Sequence, residues 1–272
     1  MIRHLLQLIW NQRKQNAWLW AELLLVSVFL WFLVDYLYVM GRTYTAPLGF
    51  DIRHTYSIVI SSLSERSPDY IPKEKRERPD GVHLLTALDR IRTYPGVESA
   101  CLTDGGMPYY MGSRNLVWRI DTLQVPCRYA FVTPEFFDVF RIYDKDGKTA
   151  SLKRAIEDNN SIVISADVET MNPGLSLLGQ KAYRGNVTDE IEETIRGISV
   201  PIRRHEYTKA EPNVYRALRL SRMEEGYYEG MIDAVRLCVR VRPDVDNADF
   251  PARFRKDMAE QLRLGNQIGR AH

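Results

Sequence analysis

Apolar and polar positions divide this chain sharply near its start. Ala17 to Met40 is a 24-residue run in which thirteen positions are Leu, Val or Phe and only Glu22, Ser27 and Asp35 interrupt. A helix over this run measures roughly 36 Å, against a hydrocarbon core of about 30 Å. Each central Leu, Val or Phe contributes roughly −0.3 to −0.6 kcal/mol to insertion, which outweighs one off-centre Asp35 at about +3. Trp18 and Trp20 on one side and Tyr36 and Tyr38 on the other sit where amphipathic rings favour the headgroup level. The pattern predicts a transmembrane helix over 17–40. A cleaved signal peptide is the alternative, but the run exceeds an h-region of about 7–15 residues and no A-x-A-like site follows. Ahead of it, Ile2, Leu5, Leu6, Ile9 and Trp10 fall near helical spacing, so 1–16 reads as a cytoplasmic or interfacial elbow, with a disordered leader as the other reading.

Beyond Gly49 the periodicities change. Tyr56 to Leu63 reads as a strand, followed by a charged, Pro-bounded loop over 65–79. Asp80 is placed to cap a helix with Leu84, Leu85, Leu88 and Ile91 on one stripe, ended by Pro95-Gly96, and Val97 to Leu102 returns as a strand. Near the other end, Val235, Leu237, Val239 and Val241 alternate with Arg236, Cys238, Arg240 and Arg242, the period of a half-buried strand. Asn247 or Asp249 can cap the helix that follows, along which Phe250, Phe254, Met258 and Leu262 recur every four residues. No third element arrives after Gly265-Asn266 to pair with that strand. Between the two units lie shorter strands at 115–120, 127–132, 161–165, 194–200 and 215–220 and a short helix at 134–140. The fold class expected is α+β: one N-terminal transmembrane helix, then one extracytoplasmic unit over 49–266 with strand-helix-strand units and an inserted, mostly β lobe.

Composition narrows the function. Arg3, Arg13 and Lys14 precede the apolar run and Arg42 and Arg53 follow it, a mild bias that puts the N-terminus in the cytoplasm. With 37 basic and 35 acidic residues there is no electrostatic footprint for nucleic acid. Cys101, Cys127 and Cys238 are odd in number and lack C-x-x-C spacing; a 101–127 disulfide and buried free thiols both fit, and the second fits better.

Motifs for chemistry are absent. No G-x-x-x-x-G-K-[ST] is present, so the chain is not expected to bind ATP through a P-loop. H-E-x-x-H and G-x-S-x-G are missing, and His4, His54, His83, His205 and His272 show no ligand or nucleophile-base spacing. Asp144-Lys145-Asp146-Gly147-Lys148 imitates the start of a calcium loop but places Lys148 and Ala155 where oxygen ligands belong, so it reads as a turn. Asp104-Gly105-Gly106 and Asn172-Pro173-Gly174 read as loops, and the pairs Tyr109-Tyr110, Phe136-Phe137 and Tyr227-Tyr228 as core packing rather than a binding surface. No catalytic, cofactor-binding or metal-ligating residue is assigned, and the substrate-binding residues are left open.

A series of segments carries a resemblance. Tyr94-Pro95-Gly96-Val97-Glu98 is followed by Gly106-Met107-Pro108 and by Val132-Thr133-Pro134-Glu135-Phe136-Phe137-Asp138-Val139-Phe140. Ile162-Val163-Ile164-Ser165, Leu178-Gly179-Gln180-Lys181, Ile195-Arg196-Gly197-Ile198-Ser199-Val200 and Val239-Arg240-Val241-Arg242-Pro243 come next. In this order they resemble the first transmembrane helix and periplasmic core domain of bacterial ABC transporter permeases of the MacB and FtsX type. The "V-x-P-x-F-F-x-V-F" segment at 132–140 is the most specific match. The family's "G-R" after it is replaced by Asp146-Gly147-Lys148.

The resemblance implies a noncatalytic permease subunit in the inner membrane, its main domain periplasmic over 49–266, transmitting motion driven by a separate ATP-binding subunit. It also implies a second permease subunit in a dimer, contact with membrane lipid, an adaptor or cargo in the periplasm, no cofactor of the chain's own and no nucleic acid. The family has four transmembrane helices, so a C-terminally truncated fragment is expected. Residues 267–272, Gln-Ile-Gly-Arg-Ala-His, match one reading frame of a common sequencing adapter and are expected to be a non-native tail. The alternative from a different class is a single-pass sensor with an extracytoplasmic ligand-binding domain, and a membrane-anchored enzyme is a third.

Overall fold

The computed structural model describes residues 3, 7, 10, 14, 17–58, 66, 72, 75, 78–110, 112, 114–185, 190–226 and 234–261. Most of the elbow 1–16, most of the loop 65–79, the end of the strand expected over 56–63, the pair Tyr227-Tyr228 and the stretch 262–272 lie outside the described residues. The chain divides into two compact units, Met1–Pro47 with Glu206–Thr208, and Leu48–His205 with Lys209–His272.

In the first unit, α1 (Ala17–Thr45) runs for 29 residues with no side chain buried in the protein. It is, among the described residues, the one helix long and apolar enough to cross a membrane. It continues five residues past the apolar run, because nothing in Gly41-Arg42-Thr43-Tyr44-Thr45 stops a helix. Pro47 does, by disfavouring helical backbone at Ala46, and Thr45 Oγ1 closes the last turn by donating to the Gly41 carbonyl at 3.0 Å.

The second unit holds a sheet in which nine strands appear among the described residues: β1 (Thr55–Ile58), β2 (Val97–Asp104), β3 (Arg114–Ile120), β4 (Leu123–Val132), β5 (Ser161–Ser165), β6 (Lys181–Arg184), β7 (Ile191–Ser199), β8 (Asn213–Ala217) and β9 (Arg236–Val241). Its order is β1-β9-β2-β4-β3-β6-β7-β5-β8, and β8 returns to pair with β4. The pairing of Arg128–Val132 with Asn213–Ala217 therefore closes β4-β3-β6-β7-β5-β8 into a six-stranded ring. Closure satisfies strand edges that would otherwise seek partners. β4 belongs to both halves: it pairs with β3 and β8 in the ring over Leu123–Val132, and its last two residues, Phe131 and Val132, pair with β2 of the open sheet as well.

Strand β9 lies between β1 and β2, antiparallel to both, in register Tyr56↔Val239 and Cys101↔Cys238. The sequence pattern leaves this strand unpaired; the fold supplies both neighbours from the other end of the chain. The alternation of β9 then divides two cores. Leu237, Val239 and Val241 face α2 (Asp80–Arg92) and α7 (Phe250–Gln261), with Leu84, Leu88, Ile91, Phe250, Phe254 and Met258. Cys101, Cys238, Ala130 and Val132 pack on the other side with Phe136, Phe137 and Phe140 around α3 (Phe136–Val139). The ring has its own interior of Trp118, Ile120, Cys127, Ile162, Ile164, Ala182, Ile195 and Val214.

Local details differ from the sequence reading for identifiable reasons. Pro79, not Asp80, is the N-cap of α2, and Asp80 is its first helical residue, buried, where a carboxylate still favours the positive end of the helix dipole. The 134–140 helix is a single turn. β4 starts at Leu123 because Asp121, at φ 52°, turns the chain directly from β3 into a hairpin. β6 is four residues long, too short for a periodicity to announce it. Helix α4 (Ala150–Ala155) rests on β7 at Gly197, where a Cβ would lie 2.8 Å from Val163 and 3.0 Å from Ala155. All three cysteines are free and buried. Cys127 lies in the ring interior while Cys101 lies on the open sheet opposite Cys238, so the 101–127 disulfide is not formed.

Candidate functional site

A cavity of about 460 Å³ opens where the ring meets the open sheet. It is built from strand ends. Asp104 closes β2, Arg114 opens β3, Arg184 closes β6, Ile191 opens β7, and Arg216 and Ala217 close β8. Arg219 and Arg222, at and within α6 (Leu220–Glu224), complete one wall, with Phe131 of β4 and Asn159 on others. Five arginines therefore face one lining carboxylate.

The carboxylates that answer these arginines are few and deeply placed. Asp104 Oδ2 lies 3.0 Å from Arg114 Nη2, and burial raises the Asp104 pKa against the pull of that guanidinium. Glu193, 2% exposed, sits behind the cavity in β7. It accepts from Arg216 Nε at 2.7 Å and from Trp118 Nε1 at 3.2 Å. Arg184 Nε approaches the same carboxylate at 3.3 Å but off the line of a hydrogen bond, and it has no other acceptor among the described residues. Two arginines thus share one buried negative charge. Burial pushes the Arg216 guanidinium down, Glu193 opposes that shift, and Arg184 and Arg219 reinforce it by repulsion. Arg216 also lies over the Phe131 ring, 4.9 Å from its centroid. Arg219 has no carboxylate partner among the described residues. Such a site attracts an anion; it places no nucleophile beside a base.

Other polar clusters hold the fold together. Asp246 accepts from the Tyr56 hydroxyl and lies 2.6 Å from His54 Nδ1; burial, with the Asp246 bond adding, pushes Tyr56 up to about 12. Asp144 caps its own turn, accepting from the backbone of Asp146 and Lys148 at 2.9 and 2.8 Å, so the calcium-like segment is a turn. Phe136 and Phe137 are buried as core, whereas Tyr109 is exposed at φ 59°. Burial raises the pKa of the Cys127 thiol to about 12. Among the described residues no three His, Cys, Asp or Glu side chains are grouped to hold a metal ion.

The sequence reading assigns none of the cavity residues. One signal was available: Arg216, Arg219 and Arg222 recur every three positions across a strand end and the helix after it. Arg114 and Arg184 carry no such mark, because only the ring closure brings them near.

No protein-family model and no curated protein sequence matches the chain. Three solved structures are similar in fold. A domain described as a permease protein from Porphyromonas gingivalis is 17% identical, with a TM-score of 0.48 over 77% of this chain and 78% of that one. The extracellular domain of the noncanonic ABC-type transporter YknZ from Gram-positive bacteria is 12% identical, with 0.47 over 79% and 100%. The periplasmic region of MacB from Actinobacillus actinomycetemcomitans is 10% identical, with 0.45 over 82% and 88%.

Proposed function

We propose that this chain is a noncatalytic permease subunit of an ABC transporter of the MacB and FtsX type, held in the inner membrane by α1, its N-terminus cytoplasmic and its second unit periplasmic. The carrying observation is the architecture that the resembling segments occupy. The segment at 132–140 runs from the last residue of β4 through α3, at the seam between sheet and ring, and 239–243 lies at the end of the strand that joins both ends of the unit. ATP is hydrolysed by a separate subunit, a second permease completes the assembly, and the unit contacts an adaptor or cargo.

Co-expression with any ABC-type ATP-binding protein found encoded at the same locus tests this. The expected result is a membrane complex that survives purification and whose ATPase depends on this chain. A chain that purifies alone, with no ATPase partner at its locus, contradicts the proposal. The arginine-lined cavity favours a second reading, a single-pass sensor, which requires a cytoplasmic signalling region in the downstream coding sequence instead of further apolar spans.

A further inference from the structure

We propose that the cavity between ring and open sheet binds a phosphate ester, with Arg216, Arg184 and Arg219 on the phosphate and the Phe131 side on the organic body. Charge is the first argument. Glu193 is shared by two arginines, Arg114 is matched by Asp104, and half-buried Arg219 is unmatched by any described carboxylate, so the described lining carries surplus positive charge. In a low-dielectric recess such a surplus is costly until an anion enters.

Geometry selects the anion. Arginines at the ends of β6 and β8 and at the start of α6 line one space, and several guanidinium groups together suit a tetrahedral group with several acceptor oxygens; a planar carboxylate is served by a single fork. Arg184 Nε is buried 3.3 Å from Glu193 without a hydrogen bond to any described residue, so its pairing with that carboxylate is imperfect. Volume then leaves room for more than a bare ion. About 460 Å³ is several times what one phosphate fills, and Phe131, Ile191, Ala217 and Ala234 line the remainder with apolar surface. A soluble phosphate ester and a phospholipid headgroup share this chemistry.

The full-length chain in detergent, titrated calorimetrically with glycerol 3-phosphate at fixed ionic strength, tests the site, and flotation with phosphatidylcholine vesicles containing phosphatidic acid supplies the lipid arm. Binding in either arm is expected, weakened about tenfold by Arg219→Gln through loss of one charge-assisted contact and restored by Arg219→Lys. Retention in the calorimetric arm assigns the ligand to a soluble ester, and retention only with vesicles assigns it to a headgroup. The proposal is overturned if neither probe binds, if citrate binds as tightly as the phosphate ester, or if Arg219→Gln leaves affinity unchanged. Arg219 is only half-buried and has no described partner to orphan, so its variants are expected to fold; an unchanged melting temperature checks that.

Discussion

Arg240 donates its Nε–H to the carbonyl of Val139 at 2.6 Å, across the seam between β9 and the end of α3. Its Nη1 donates to the Arg53 carbonyl at 2.9 Å and its Nη2 to that of Asp51, while the side chain itself is 1% exposed. One buried guanidinium therefore fastens the segment that leads into β1, and the end of α3, to the strand between β1 and β2. Arg240→Met keeps the stem and removes the fork, which takes the donor from the Asp51 carbonyl and leaves the Val139 and Arg53 carbonyls only the long approach of the Thr55 hydroxyl at 3.5 and 3.4 Å. The expected loss is about 3 kcal/mol or more, read as a lower urea midpoint for the full chain in detergent. Arg240→Lys recovers part of it, since an ammonium reaches fewer of the three acceptors.

Gly81 gives a case where propensity and packing oppose each other. Alanine in place of a helical glycine ordinarily stabilises by about 1 kcal/mol. Here a Cβ at position 81 would stand 2.3 Å from the Met223 carbonyl oxygen, in contact with the α6 backbone rather than a side-chain tip. Backbone cannot step aside cheaply, and overpacking of this kind costs about 1–3 kcal/mol, so the sign reverses. Gly81→Ala is expected to lower the melting temperature; a rise would mean that α2 and α6 can separate without loss.

What the sequence made readable and what it did not divides along the range of the interactions. The four-residue recurrence from Phe250 to Met258 and the Phe136-Phe137 pair are local patterns that became the helix and the core they signalled, and the alternation around Val239 became a strand, though one buried on both faces instead of one because Cys238 and Arg240 are covered too. The partners of β9 were not readable, because pairing with Tyr56 and Cys101 joins residues more than a hundred positions apart and leaves no periodic trace. The same holds for Arg128–Val132 beside Asn213–Ala217, the contact that closes the ring. The cavity was hidden for this reason too. Arg184 follows three unremarkable residues and Arg114 follows a glycine-serine pair, and a lone arginine at a strand end looks like any solvated charge until the topology surrounds it.

Acid should weaken the turn at Asp144. Partial burial raises its pKa, but bonds from Ser151 and from the Lys148 and Asp146 backbone outweigh that and hold the carboxyl below its ordinary value of 3.8. A carboxyl with a depressed folded-state pKa releases its proton more readily when folded, so its contribution is present above the unfolded value and fades as pH falls through the folded one. The window lies below about pH 4. Asp144→Asn keeps acceptors for the two amides and abolishes the titration. The fall in melting temperature between pH 6 and pH 3 is expected to be smaller in this variant than in the parent, and an identical fall would place the acid sensitivity elsewhere.

Glu193 and its arginines set a test of how the buried charges depend on one another. Removing the one described carboxylate beneath Arg184 and Arg216 leaves two guanidinium groups with no counter-charge among the described residues, in a recess where Glu193 itself is 2% exposed. Breaking one partner of such a group costs about 3–5 kcal/mol, most of it from the charges left behind rather than from the bond lost. Glu193→Gln alone is therefore expected to be severe, even though the amide oxygen can still accept from Trp118. Adding Arg216→Met to it removes one of the stranded charges, so the double variant should be more stable than the two single losses added together. Denaturant midpoints for the parent, both single variants and the double variant form a complete cycle, and a coupling of about 1 kcal/mol or more is the expected result. If the losses simply add, Arg216 is neutralised by some other group and the positive surplus assigned to this wall is not there.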